Sequence, residues 1–212
     1  MMDKDIIPPS EKERKNLKRL PFDEARFREE LGSVPSLQFG GEPEFSVYER
    51  IWTRPALSVL GMDVPSVTAT SNQLVDWARA KVSLRIVRGM DPQKSLQQLC
   101  DFLAQDPPHG AEVKVHPGAA GDPWYVEPKG PAFFAAEQAL KKGYGKDPVY
   151  IGCGGSIPFV EPLTQQFGGI PALLIGLEDP ICNAHGENES LLLSDWFKGM
   201  ESAVHLYFGD FG

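Results

Sequence analysis

Two short stretches carry residue types able to do chemistry. In NAHGENE, Asn183 to Glu189, His185 stands among small and acidic residues. A neutral imidazole there can ligate zinc, with a carboxylate such as Glu187 orienting it from behind. It can equally act as a charge-relay base or be an ordinary loop histidine, and for an isolated histidine the last reading is the commonest. In GCGGSIP, Gly152 to Pro158, an apolar run gives way to a helical pattern. Gly154 and Gly155 would let backbone amides approach an anion at a helix N-terminus, with the Ser156 hydroxyl beside them. A tight turn with Ser156 as a plain N-cap explains the same residues, and the stretch fits neither the P-loop, the dinucleotide fingerprint nor the GxSxG elbow. Cys153 has no base near it in sequence, so a buried structural thiol is the simpler reading than a nucleophile. Arg85 on a strand-like run is either a solvated charge or a two-pronged clamp for a carboxylate. His109, His116 and His205 sit in loops or on the last helix without such company.

The elements that must position these groups differ between the two halves. Ala56–Met62, Ala78–Val87 and Ala111–Pro117 have strand character, and Val82, Leu84 and Ile86 alternate with Lys81, Ser83 and Arg85 as on a sheet covered on one face. Between the second and third, Asp91–Gln105 places Leu96, Leu99, Cys100 and Leu103 at helical spacing behind an Asp91 cap, which predicts a two-layer α+β unit. Ahead of it, Ser10 is a candidate N-cap with Arg14–Leu20 helical behind it, and Phe22–Leu31 reads as another short helix; neither has a broad apolar face. Gly and Pro dominate GAAGDPWYVEPKGP, which reads as a linker. Beyond it come a helix ending at a Gly C-cap (PAFFAAEQALKKGYG), an apolar strand (VYIGC), a helix (IPFVEPLTQQFG), a second apolar strand (PALLIGL) and a closing amphipathic helix. Apolar strands alternating with helices belong to a parallel sheet covered on both faces, and two such strands bury too little alone. This half is therefore expected to be a segment of a larger α/β domain.

The composition, 42% hydrophobic over 212 residues, suffices for a sizeable core. Twenty-one basic against twenty-nine acidic residues, net charge -8, with no basic cluster beside aromatics, argue against nucleic acid as a partner. The longest apolar runs fall short of the ~20 residues of a membrane span. Cys100, Cys153 and Cys182 form no CxxC pair and suit reduced thiols in a cytoplasmic protein.

The landmarks WTRPALSVLGM, ARAKVSLRIVRGMDP, GDPWYV, the GGSIP turn and ALLIGLEDPICNAHGENE, in this order and approximate spacing, resemble the second half of a carnosine dipeptidase-like di-zinc metallopeptidase. That broad family includes aminoacylases, glutamate carboxypeptidases and succinyl-diaminopimelate desuccinylase. The resemblance implies a fold: residues 1–117 as a two-layer α+β lid domain, incomplete at its N-terminus, then residues 118–212 as the C-terminal, α/β part of a catalytic domain. It also implies roles. His185 becomes a zinc ligand, Gly154, Gly155 and Ser156 help hold substrate, Arg85 grips a substrate carboxylate, and Asn72 matches a lid position that reaches into the partner subunit's site toward the scissile carbonyl. A homodimer formed through the lid, with a small peptide or N-acyl amino acid as substrate, follows from the same likeness.

The family's other zinc ligands come from an upstream HxD motif, a bridging aspartate, a further acidic residue and a Glu-Glu pair whose first member is the general base. No HxD occurs in this sequence, and its Glu-Glu pair, Glu29–Glu30, lies in a charged helix. Departures from the family pattern also occur at Gln73–Val75, where Val-Ile-Pro is usual, and at Arg88, where proline is usual. The sequence reading is thus of a zinc exopeptidase or deacylase fragment that lacks its general base and is inactive alone. The rivals are a non-catalytic dimerisation or ligand-binding module of the same descent, and an unrelated cytosolic α/β enzyme using Ser156 or Cys153 as nucleophile.

Overall fold

The computed structural model describes residues 2–69, 71–153, 157 and 159–209. In chain order the elements are α1 (Glu11–Leu17), α2 (Glu24–Glu30), α3 (Val47–Thr53), β1 (Ala56–Asp63), β2 (Arg79–Arg85), α4 (Pro92–Ala104), α5 (Pro131–Tyr144), α6 (Val160–Gln166) and α7 (Leu193–Phe208), with short 3-10 turns at Met2–Asp5, Val67–Ala69 and Pro108–Gly110. They form two compact units. The first comprises Met1–Pro9, Glu42–Trp124 and Gly152–Pro158, the second Ser10–Gly41, Tyr125–Ile151 and Phe159–Gly212. Compactness thus assigns the charged helices α1 and α2 to the second unit, a finer division than a single cut near residue 117.

In the first unit β1 and β2 pair antiparallel, Ala56 opposite Arg85 and Val59 opposite Val82, with a bulge between Val59 and Gly61. Val82 and Leu84 are half-buried while Lys81, Ser83 and Arg85 face solvent, as the alternation of residue types requires. Helix α4 starts where Asp91 accepts the Lys94 amide at 2.7 Å, with Pro92 at the first helical position where no amide is needed. One stripe of the helix buries Ser95 and Leu99 and half-buries Leu96, Cys100 and Leu103, the apolar face its spacing predicts. The N-terminal segment is fastened beside it. Ile7 donates to the Arg88 carbonyl at 2.9 Å, and Gly89, at φ +94, lies so close to Asp5 that a Cβ would sit 2.1 Å from its carbonyl oxygen.

In the second unit α5 packs on α7. Phe133, Ala136 and Ala139 of α5 are buried, and Gly143 lets the helices approach until its missing Cβ would meet Ser202 and the Lys198 carbonyl. Gly145, left-handed at φ +68, ends α5 with its amide on the Lys141 carbonyl at 2.9 Å. Asn16 of α1 pairs with both backbone groups of Tyr150, whose hydroxyl donates to Glu137 of α5 at 2.9 Å. As the narrow apolar faces of α1 and α2 predict, neither helix has a buried residue.

Three expected strands are absent. Ala111–Pro117, VYIGC (149–153) and PALLIGL (171–177) run without a ladder, and the β1–β2 pair is the one sheet among the described residues. A strand exists through its neighbour's hydrogen bonds, which an apolar run can invite but not supply. Consistently, Ile151, Leu174 and Ile175 are 63%, 49% and 48% exposed, whereas strands of a doubly covered sheet are buried. The surface totals 16327 Å²; even two separate compact units of half this mass would together expose only about 11,800 Å². The architecture is that of a partial α+β domain whose apolar surface extends beyond what these elements cover. No helix among the described residues is long and apolar enough to cross a membrane.

Candidate functional site

Arg85 and Asn72 belong to the first unit. Arg85 closes β2 opposite Ala56, its side chain on the solvent face and without an ionic partner among the described residues. A guanidinium held on a strand and left unpaired is available for a carboxylate from outside, with two parallel hydrogen bonds. Asn72 lies exposed in the bend that leads into β2, followed by Leu74 at 99%, Val75 at 58% and Trp77 at 55% exposure.

Gly154, Gly155 and Ser156 lie outside the described residues. What precedes them is clear. Gly152 approaches α3 so closely that a Cβ would stand 2.4 Å from Trp52 Cβ, and Trp52 is itself stacked on Tyr48 with ring centroids 4.9 Å apart. Trp52 therefore packs directly against the backbone at Gly152, a contact that the sequence pattern did not disclose. Helix α3, which carries both rings, was also unforeseen. Its signal was present as the S-x-x-E capping box of Ser46 and Glu49, whose two reciprocal hydrogen bonds are formed. Cys153 next to Gly152 is exposed, which corrects the expectation of a buried thiol: the backbone beside it turns toward Trp52, leaving the thiol outward.

His185 belongs to the second unit, at the exposed crest of a loop between residues 178 and 190. The loop is built on itself. Asp179 and Cys182 exchange a pair of contacts at 3.2 Å, the Asp179 amide on the thiol and the Cys182 amide on the Asp179 carbonyl. The amide at Asp179 favours the thiolate, but burial and the neighbouring carboxylates outweigh it and push the Cys182 thiol up from its ordinary value. The loop closes where Ser190 donates to the Cys182 carbonyl at 2.9 Å. Inside it the Asn183 side-chain amide donates to the Glu187 carbonyl at 2.6 Å, and Gly186 donates to the Asn183 carbonyl at 2.9 Å. Three non-glycine residues there, Asn183, His185 and Asn188, have left-handed backbone at φ 54, 63 and 58.

The expected zinc ion pair needs several donors around it. Among the described residues no group of three or more His, Cys, Asp and Glu side chains converges on one point. The described residues therefore do not bring three such donors together around His185.

No protein-family model matches the chain. It is 30% identical over 210 residues to the Cys-Gly metallodipeptidase of Saccharomyces cerevisiae, covering 95% of this chain and 42% of that protein. The chain is a homologue of the metallodipeptidases. A cysteinylglycine-S-conjugate dipeptidase of Corynebacterium striatum is 28% identical over 172 residues, 81% of this chain and 38% of the relative. The solved structure of the yeast dipeptidase superposes with a TM-score of 0.75 over 97% of this chain and 43% of its own, at 27% identity. Human carnosine dipeptidase 1, at 20% identity, shares the fold with a TM-score of 0.79, over 98% of this chain and 44% of its own. The chain spans about two-fifths of the length of these metallodipeptidases, and the match is consistent with their C-terminal portion.

Proposed function

We propose that this chain is the lid and returning C-terminal part of a zinc exopeptidase that hydrolyses the amide bond of a small dipeptide or N-acyl amino acid. The observation that carries the proposal is the 95% coverage at 30% identity to a Cys-Gly metallodipeptidase. In this reading His185 is one of several metal ligands, the others and the general base coming from polypeptide outside these 212 residues, so that the chain alone is inactive. Its own residues bind and orient. Arg85, unpaired on its strand, grips the substrate carboxylate; the Gly154–Gly155 amides and the Ser156 hydroxyl hold the same end; and Asn72 reaches the scissile carbonyl in a partner subunit. Fixing both ends of a short substrate is what lets such an enzyme act on dipeptides in preference to long chains.

A homodimer through the first unit fits the exposed surface of β1, where Leu57, Val59, Leu60 and Met62 are 55–64% exposed beside an unpaired strand edge. The absence of any basic cluster keeps nucleic acid out of the partner set, and a reducing, cytoplasmic setting suits the cysteine spacing.

The test is zinc content and hydrolysis of a dipeptide panel headed by Cys-Gly, for the chain alone and for the chain mixed with a polypeptide supplying the family's upstream half. Activity in the mixture alone, abolished in His185→Ala, is the expected result. In Arg85→Ala, loss of a charge-assisted pair worth about 1.5–3 kcal/mol should raise KM roughly ten- to hundredfold for substrates with a free carboxylate. Metal-free, inactive protein in both preparations would leave a dimerisation or ligand-binding module of the same descent.

A further inference from the structure

We propose that Asn183 is a positioning residue for His185, acting through a clamp that includes Gly186 and the buried Cys182. The inference rests on the reading of His185 as a functional group and adds what holds it in place. His185 stands at φ 63, a backbone region that non-glycine residues populate sparsely and keep only where their surroundings over-determine it. Here the surroundings are specific. The side-chain amide of Asn183 reaches forward past His185 to donate to the Glu187 carbonyl, while the backbone carbonyl of Asn183 accepts from the Gly186 amide, so the bond Asn183 donates and the bond it accepts both close around the histidine. Position 186 must be small for this. A Cβ there would lie 2.5–2.7 Å from the Asn183 carboxamide and would drive it off Glu187. The ends of the loop are anchored by Cys182, only 2% exposed, which takes the Asp179 amide on its sulfur and the Ser190 amide on its carbonyl. His185 itself contributes no hydrogen bond to the loop among the described residues. The loop therefore fixes the histidine backbone while leaving the imidazole free for an external partner, the arrangement a pre-organised donor requires.

The experiment is nuclear magnetic resonance on the isotopically labelled 212-residue chain, with Asn183→Asp, Gly186→Ala and Asn183→Gly. In Asn183→Asp the residue keeps its size and its tolerance of left-handed backbone but presents a carboxylate to the Glu187 carbonyl. Loss of a hydrogen bond of ordinary net strength should speed amide exchange at Gly186 and Ser190 by about tenfold. The His185 Cα and Cβ shifts and its amide–Hα coupling should move from left-handed values toward averaged ones, while α7 amides keep their protection. Gly186→Ala should give the same signature by steric displacement. Unchanged His185 shifts in both variants would overturn the inference, as would an Asn183→Gly chain that keeps those shifts, since the carboxamide would then be dispensable. These readouts involve neither metal nor substrate, so a failed clamp is distinguishable from a failed assignment of His185, which the activity of the His185→Ala mixture decides.

Discussion

Gly143→Ala sets two effects of opposite sign against each other at the centre of the second unit. In a helix interior alanine is better than glycine by about 0.8–1 kcal/mol, and Gly143, one residue from the end of α5, should gain less than that. Against this, the new Cβ would lie 2.2 Å from Ser202 Oγ, 2.6 Å from the Lys198 carbonyl oxygen and 3.0 Å from the Ser202 amide nitrogen. The hydroxyl can rotate, at the expense of its 2.8 Å bond to the Lys198 carbonyl. The two backbone atoms cannot, so α7 must move away from α5. Overpacking of this kind costs about 1–3 kcal/mol, and the net expectation is destabilisation by about 1–2 kcal/mol. Native-state hydrogen exchange at the α5 and α7 amides is the assay, because it reports the second unit separately from the first. Exchange there should accelerate roughly five- to thirtyfold. Ser202→Gly combined with Gly143→Ala should recover only part of the loss, since the Lys198 carbonyl remains in the way. Slower exchange in Gly143→Ala would mean that helix propensity wins and that the two helices are not in such close contact.

Gly152→Ala places a Cβ 2.4 Å from Trp52 Cβ, so the urea midpoint of the first unit should fall by the equivalent of about 1–3 kcal/mol; an unchanged midpoint would show that Gly152 and Trp52 are not in such close contact. Tyr150 is held as the neutral phenol above its ordinary range by burial first and by the Glu137 carboxylate second. Because the folded value is the raised one, its stabilisation is complete below the ordinary phenol value near pH 10 and is lost as pH rises through the folded value. Tyr150→Phe should accordingly delete the latest-ionising tyrosine from an alkaline absorbance titration, and a titration curve with the same late step would refute the assignment. Glu42 is held below the ordinary carboxylate range by its hydrogen bond from Arg54, so the pair supports the fold above the ordinary carboxylate range and fails as pH falls through the lowered value. In Arg54→Gln the Glu42 carboxyl resonance should titrate at the ordinary position, and no movement would show that the pair does not form in solution.

Local signals were legible where the chain needs no distant partner. Ser10, Asp91 and Gly145 terminate helices with side chains or backbone of their own, and each does what its residue type dictates. The alternation through Val82 and Leu84 likewise fixed which face of β2 is covered, because that period is a property of one strand. Pairing is not such a property. Pro171–Leu177 is as apolar as any buried strand, yet periodicity carries no information on which neighbour completes its ladder, and the described residues contain none. The apolar run therefore specifies a demand for cover, and the exposure of Leu174 and Ile175 measures that the demand is unmet within these elements.

The same distinction separates what could be read at His185 from what could not. A histidine among small and acidic residues is visible in one line of sequence; its backbone conformation is not, because φ 63 is disfavoured for the residue by itself and is imposed by neighbours. Those neighbours did leave a trace. Asparagine, at 183 and again at 188, is the residue that best tolerates left-handed backbone apart from glycine, and Gly186 stands between them. The spacing of two asparagines around a glycine thus encoded a self-closed loop, while the identity of the bond that closes it, the Asn183 amide on the Glu187 carbonyl, depended on a side-chain direction that no spacing states. For Arg85 the order is reversed. Its strand position and outward direction follow from alternation alone, and the lack of an ionic partner among the described residues is what the structure adds. Lys81, on the other side of Ser83 from Arg85, is exposed on the same face of β2, so alternation aims both cations outward and it is the guanidinium's planar fork that suits Arg85 to a carboxylate.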